Sequence, residues 1–286
     1  MKKVISLASA IVMVFTLCSC STAKTESKIT QLSDLEGKNI GIRTFTDGFD
    51  AETMKQAFIQ ASGGVKIASI EACESGTDSA ILSLQSGKIS ALITASFEAD
   101  YYTKMNDKYS AVDLPGYPSE QVAFMGVAKD QTETYELLNS ALAELKTNGT
   151  LATLTEKYIT NLTKETQAEA ITIPTTDGAK TIKVALTGSA MPLDYFDASG
   201  KPAGFDAALL AEIAKLKKVN FEISTYEPNG GLAAVNSGKA DVYFCLSSEK
   251  TVYETGTGKS SLEELYNIKA TDYYFESAGM KLLVNK

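Results

Sequence analysis

The chain has no histidine and a single arginine, Arg43, in 286 residues. Those two shortages remove imidazole acid–base relays, histidine metal sites and most arginine clamps, so any chemistry falls to Asp, Glu, Lys, Tyr, Ser or Cys. Cysteine is sparse as well: positions 18, 20, 73 and 245 form no CxxC pair. Neither a zinc ribbon nor a disulfide framework is indicated. No run of five basic residues occurs, and 27 Lys plus Arg stand against 35 Asp plus Glu, a net charge of −8 that argues against a nucleic-acid partner. Hydrophobic content of 44% with 22% charged residues excludes disorder and collagen.

The length suggests two domains or one large one. At the amino end, Met1-Lys2-Lys3 precedes an apolar run from Val4 to Leu17, the pattern of a secretory signal and too short to span a membrane. The run ends in Leu17-Cys18-Ser19-Cys20, which resembles a bacterial lipobox with Leu17 at −3, Ser19 at −1 and Cys20 as the lipidated residue; Cys18 fits worse. A plain signal peptide with incidental cysteines is the alternative. Residues 1–19 are thus expected to be a lipoprotein signal peptide, and 20–32, with the polar stretch Ser21 to Lys28, a flexible tether. Cleavage removes Lys2 and Lys3 and leaves a more acidic body. Cys73 and Cys245 then remain, one in each half, and read as small core residues.

The body alternates strand-like and helical patterns. Strands are expected at 38–43, 65–69, 89–94 and 121–129, with helices at 50–61, 78–85, 97–105, 135–146 and 151–159. Residues 171–180 (ITIPTTDGAK) read as a linker or surface loop. The pattern then restarts with strands at 181–186, 219–224 and 240–246, helices at 205–216 and 231–237, an irregular stretch with one helix at 250–268, and a last strand at 279–285. Two α/β lobes with mostly parallel sheets follow from this alternation, and a cleft between them would place a ligand at the carboxyl ends of the strands.

Several segments carry a family likeness: Ile182-Lys-Val-Ala-Leu, Met191-Pro-Leu-Asp-Tyr, Gly200-Lys-Pro-Ala-Gly-Phe-Asp206, Asn236-Ser-Gly-Lys-Ala-Asp241, Leu35-Glu-Gly-Lys-Asn-Ile-Gly, Leu84-Gln-Ser-Gly-Lys, and Leu142 through Leu151. Together they resemble extracytoplasmic solute-binding proteins of the polar amino-acid ABC importer family. The resemblance implies two Rossmann-like lobes joined by a hinge, the Venus-flytrap or periplasmic-binding-protein-like II fold. The order differs from the family's: the segment like 182–285 normally comes first, that like 33–128 second and that like 132–160 last, so the chain resembles a circular permutation. In that arrangement 33–124 is the family's second lobe, and 125–165 carries a hinge strand and helices of the first. Residues 166–180 link the usual termini, and 181–286 completes the first lobe, ending in a strand expected to pair antiparallel with 122–127.

The resemblance also marks a site. The turn after the first strand presents Thr46 and Asp47, whose backbone N–H groups at a helix start would face an anionic group; as a plain alternative they are only helix caps. Arg43 is either a bidentate partner for a ligand carboxylate or a structurally paired strand-end arginine. The family's usual ligand-gripping arginine falls on Tyr253, with Lys250 a substitute only across a gap, and its usual aspartate falls on Ala95. The remaining lining would be Ser248, Thr187 and Ser96, with Leu193, Tyr195 and Phe97 as walls, although Leu193 and Tyr195 are equally core residues.

The implied function is a lipid-anchored receptor at the outer face of a bacterial membrane. It would act as a monomer, without cofactor or metal, capturing a small organic solute, amino-acid-like or carboxylate-bearing, for an ABC permease. A ligand sensor without transport, or a dehydratase-like enzyme on the same fold, are the alternatives.

Overall fold

A computed structural model describes residues 28–43, 50–73, 76–116, 120–167 and 169–286. The expected signal peptide, the expected lipidation residue Cys20 and most of the expected tether lie outside these residues, as do Thr46 and Asp47. The architecture is mixed α/β, with two main sheets and a small three-stranded one.

The first unit opens with β1 (Asn39–Arg43), whose isoleucines are buried, and with the helix Ala51–Ala61, capped by the Asp50 carboxylate accepting from Glu52 N–H at 3.2 Å. Strand β2 (Ser69–Cys73) begins where the expected 65–69 strand ends: the register with β1 starts at Asn39 opposite Ser69, and the preceding residues only approach β1 beside Lys38. The helix Gly76–Gln85, strand β3 (Ala91–Ala95), the helix Ser96–Met105 and strand β4 (Tyr109–Asp113) complete the unit.

The chain then enters the second sheet with β5 (Gln121–Ala128), followed by the helices Thr132–Thr147 and Thr150–Thr155. Residues 171–180 run over the surface without helix or strand, pinned where Thr176 N–H donates to Asn220 at 2.7 Å. After β6 (Thr181–Leu186) a small meander, β7 (Ser189–Ala190), β8 (Asp194–Phe196) and β9 (Pro202–Ala203), leads to the buried helix Phe205–Lys217. Strands β10 (Asn220–Thr225) and β11 (Val242–Glu249) flank the helix Pro228–Asn236. The stretch expected to be irregular with one helix forms two, Lys250–Glu254 and Gly256–Tyr266, parted by Thr255, whose hydroxyl accepts from Gly258 N–H at 3.0 Å. Short β12 (Ile268–Ala270) and β13 (Phe275–Ser277) precede β14 (Met280–Asn285).

The two sheets repeat one plan. The first runs β2-β1-β3-β14-β4 and the second β10-β6-β11-β5-β12, with β13 also on β5. In each, three parallel strands are followed by one antiparallel strand that the chain delivers from the other sheet's side of the sequence. This corrects one expectation. Strand 280–285 does not pair with 122–127 and does not end the lobe of residues 181–277; it inserts between β3 and β4, with Leu282 opposite Ile93 and Val112. Leu282, Leu283 and Val284 are fully buried there, because both faces of that sheet are covered. Strand 121–128 likewise lies wholly in the second sheet rather than crossing between lobes. The chain passes between the sheets after Asp113 and returns between Ser277 and Met280, where Gly279 takes a φ of 90°.

The larger core lies around the second sheet, where Phe205, Phe244, Tyr274 and Phe275 pack together. A second cluster around Ile40, Phe58, Ile93 and Leu282 fills one face of the first sheet.

Candidate functional site

The strands of both sheets end facing each other, and a cavity of about 220 Å³ lies between them. From the first unit it receives Arg43, the last residue of β1, then Thr94 and Ala95 at the end of β3, and Phe97 and Glu98 in the first turn of the following helix. From the second unit come Gln121 and Val122 at the start of β5, Thr187 and Leu193 after β6, Ser247 on β11, and Phe275 and Ser277 on β13. Arg43, Thr94, Ala95, Thr187 and Ser247 lie at or just after the carboxyl ends of parallel strands, where α/β folds place their ligands.

Contacts across the cleft hold the units together. Phe97 meets Phe275 edge to face with centroids 5.0 Å apart, Tyr101 Oη donates to Met191 Sδ at 2.9 Å, and Lys104 Nζ donates to the Thr160 carbonyl at 2.5 Å. At the return crossing, Ser96 N–H donates to the Gly279 carbonyl at 2.8 Å.

The polar pole of the cavity is an ion pair. Arg43 Nη1 binds Glu98 Oε1, and Thr94 donates its hydroxyl to Glu98 Oε2; the Arg43 and Glu98 side chains are 7% and 8% exposed. Beneath Thr187 lies Asp194, almost fully buried, which accepts from Thr187 N–H at 2.8 Å, from its hydroxyl at 2.9 Å and from Gly188 N–H. Burial pushes the Asp194 carboxyl above the usual range, and these three donors only partly oppose it. On the opposite wall, Ser277 is buried and its hydroxyl has no hydrogen-bond partner.

Of the residues expected at the site, the structure brings together Arg43, Thr187, Leu193 and Phe97. Ser96 lies beside an adjoining cleft rather than in the cavity. Tyr195 is buried and donates to the Gln167 carbonyl at 2.8 Å, and burial raises its phenol. Ser248 turns its hydroxyl to the Glu249 carbonyl, and its neighbour Ser247 lines the wall instead, as the alternation of a strand requires. Tyr253, where the family's arginine would fall, is buried and donates to the Thr271 carbonyl, while Lys250 bridges Glu120 and Glu276. Ala95 does line the cavity. Sequence reasoning missed Glu98, one helical turn beyond Ala95, together with Thr94 and Ser277. The lone arginine was the available signal for Glu98, since a buried guanidinium demands a carboxylate.

Among the described residues no helix is long and apolar enough to cross a membrane. Residues 182–250 match the model of the bacterial extracellular solute-binding proteins, family 3. The family expected from the motifs is therefore the one whose model matches, over that segment. No curated protein sequence gives a match. Solved structures show low similarity. An ancestral arginine-binding protein bound to arginine is 13% identical with a TM-score of 0.44, covering 88% of this chain and 86% of its own. An ancestral amino-acid-binding protein, a precursor of cyclohexadienyl dehydratase, is 14% identical with a TM-score of 0.45, over 87% and 82%. The ligand-binding component of an ABC-type import system from Staphylococcus aureus, with zinc bound, is 14% identical with a TM-score of 0.44; the alignment covers 87% of this chain and 66% of that one.

Proposed function

We propose that this chain is an extracytoplasmic receptor that captures a small organic solute between its two lobes and presents it to the permease of an ABC importer. In this reading Cys20 carries a lipid anchor that holds the body at the outer face of the membrane. The observation that carries the reading is the cavity itself: its wall is drawn from both sheets, which among the described strands are joined by two passages of chain, after β4 and before β14. Such a site is complete only when the lobes close, so solute binding and closure are one equilibrium. Arg43, Thr187 and Leu193 are the expected residues that would touch the solute.

The reading is of a binder rather than a catalyst. Glu98, the acidic side chain in the described wall, is committed to Arg43 and Thr94, which favours a fixed hydrogen-bonding role over that of a base. Circular permutation is part of the proposal. Its support is that both sheets share one strand plan, while the segment matching the family model begins at residue 182, after four of the first sheet's five strands. The surface course of 171–180 suits a join between former termini.

The test is a thermal-shift screen of the mature chain against a library of small metabolites, followed by calorimetric titration. A binder is stabilised by mass action and leaves the compound unchanged. Conversion of any stabilising compound, or stabilisation by none, contradicts the reading.

A further inference from the structure

We propose that Phe97 and Phe275 determine specificity by limiting how far a solute extends along the cleft: the pair favours compact solutes and turns away analogues that carry the same polar head on a longer chain. The proposal rests on the binding reading above and adds to it the size class of the solute.

A second space of about 200 Å³ adjoins the cavity of about 220 Å³, and the two share three lining residues, Phe97, Phe275 and Ser277. The second space also lies between the two units, with Asp100 and Lys104 of the helix Ser96–Met105 on one side and Thr160 and Glu276 on the other. The aromatic pair is the main part of the shared wall. Phe97 comes from the first unit and Phe275 from the second, and their rings meet edge to face, with centroids 5.0 Å apart and planes at 83°. That is a favoured arrangement of two rings, so the contact stabilises the closed form. Phe275 is buried in the core of the second sheet against Phe205, and it cannot swing aside without leaving a void. A solute that reached past the pair would hold the rings apart and forfeit their contact. Its extra length then opposes closure instead of favouring it.

Ser277 is an independent sign that a ligand belongs at this divide. It lines both spaces, it is 7% exposed, and among the described residues its hydroxyl has no hydrogen-bond partner, a situation that a polar atom of the solute would relieve. Beyond the pair, Asp100, Lys104, Thr160 and Glu276 make the surroundings polar. A longer chain admitted there is best accepted with a hydroxyl at its end.

The experiment titrates the folded mature chain with straight-chain sets of two to eight carbons, each set carrying one head (2-amino acid, carboxamide or carboxylate) and ending in methyl or hydroxyl. Chain-lengthened analogues of any compound selected by the metabolite screen above form a further set. Within each set that binds, wild type should favour a short member. Phe97→Ala should move the optimum by two carbons or more and raise the affinity of long members relative to short ones by about tenfold, since each newly buried methylene strengthens binding about fourfold. Phe97 is only partly buried, which makes that variant the milder one; Phe275→Leu should move the optimum the same way and serves as the test where Phe97→Ala fails to fold. A purely structural pair would weaken stability and all affinities together and leave the long-to-short ratio as in wild type. That result overturns the inference and leaves the binding reading standing. Stabilisation of wild type by no member of these sets or of the metabolite library overturns the binding reading, and the inference with it.

Discussion

Arg43 and Glu98, fifty-five positions apart in the chain, meet as an ion pair in the wall of the cleft, their side chains 7% and 8% exposed. Removing Glu98 takes a carboxylate away from a buried guanidinium and from the Thr94 hydroxyl. Glu98→Ala should therefore lower unfolding stability by about 3–5 kcal/mol, whereas Arg43→Met with Glu98→Leu should leave it unchanged or raise it. Urea denaturation of the free protein decides; a loss under about 1 kcal/mol for Glu98→Ala is the behaviour of an exposed pair and contradicts the burial.

Asp194 gives a pH dependence whose sign follows from its burial. Burial raises its folded pKa above that of an unfolded aspartate, so the folded state holds a proton that the unfolded state releases first. The stability it contributes is present below the unfolded pKa and is lost as pH rises through the folded one. Compared with Asp194→Asn, wild type should have its largest relative stability at acid pH, the difference shrinking as pH rises. Denaturation midpoints of both proteins across the acid range test this, and a difference that grows with pH contradicts it.

Gly231 sits against a cavity residue. A Cβ there would come within 2.3 Å of the Tyr243 ring, so Gly231→Ala must push that ring or the helix Pro228–Asn236. Overpacking of this kind costs about 1–3 kcal/mol. Because Tyr243 lines the cavity, affinity should fall together with stability. Unchanged affinity in a destabilised variant would remove Tyr243 from the site.

Tyr101 reaches across the cleft to Met191 at 2.9 Å. Tyr101→Phe removes that hydroxyl and should weaken solute binding several-fold, since a hydrogen bond of this type contributes about 1 kcal/mol to the closed form. Titration of wild type and variant measures it. Affinity equal to wild type means that the contact does not favour closure.

Cys20→Ala should leave the protein unlipidated, released or unprocessed, while Cys18→Ala should matter little. Fractionation of cells expressing each variant tests the anchor, and normal membrane retention of Cys20→Ala contradicts it.

The elements were legible because their signals are local. The isoleucines of KNIGIR mark β1, Asp50 marks the start of the helix Ala51–Ala61, and the apolar run 205–216 marks a helix that the structure extends to Lys217. The partner of β14 was not legible. Leu282, Leu283 and Val284 announce a buried strand, but nothing in them distinguishes the vacancy beside β3 from a place beside β5. Strands β4 and β13 escaped notice because each is short and half polar. In the site, Arg43 and Thr187 were marked by the family resemblance. Ser248 was chosen where Ser247 faces the cavity, the one-residue error that reverses a strand's faces. Glu98 reads in isolation as a residue of a helix surface; only the pairing of β1 with β3 sets its carboxylate against Arg43.

The central claim is that one solute is gripped from both sheets at once, and hydrogen exchange of the amides with and without a stabilising compound tests it most directly. Bound solute should slow exchange together at residues 94–98 on the first unit and at 121–123 and 275–277 on the second, the segments that face each other across the cavity. Protection confined to one unit, or appearing away from these segments, would contradict the account.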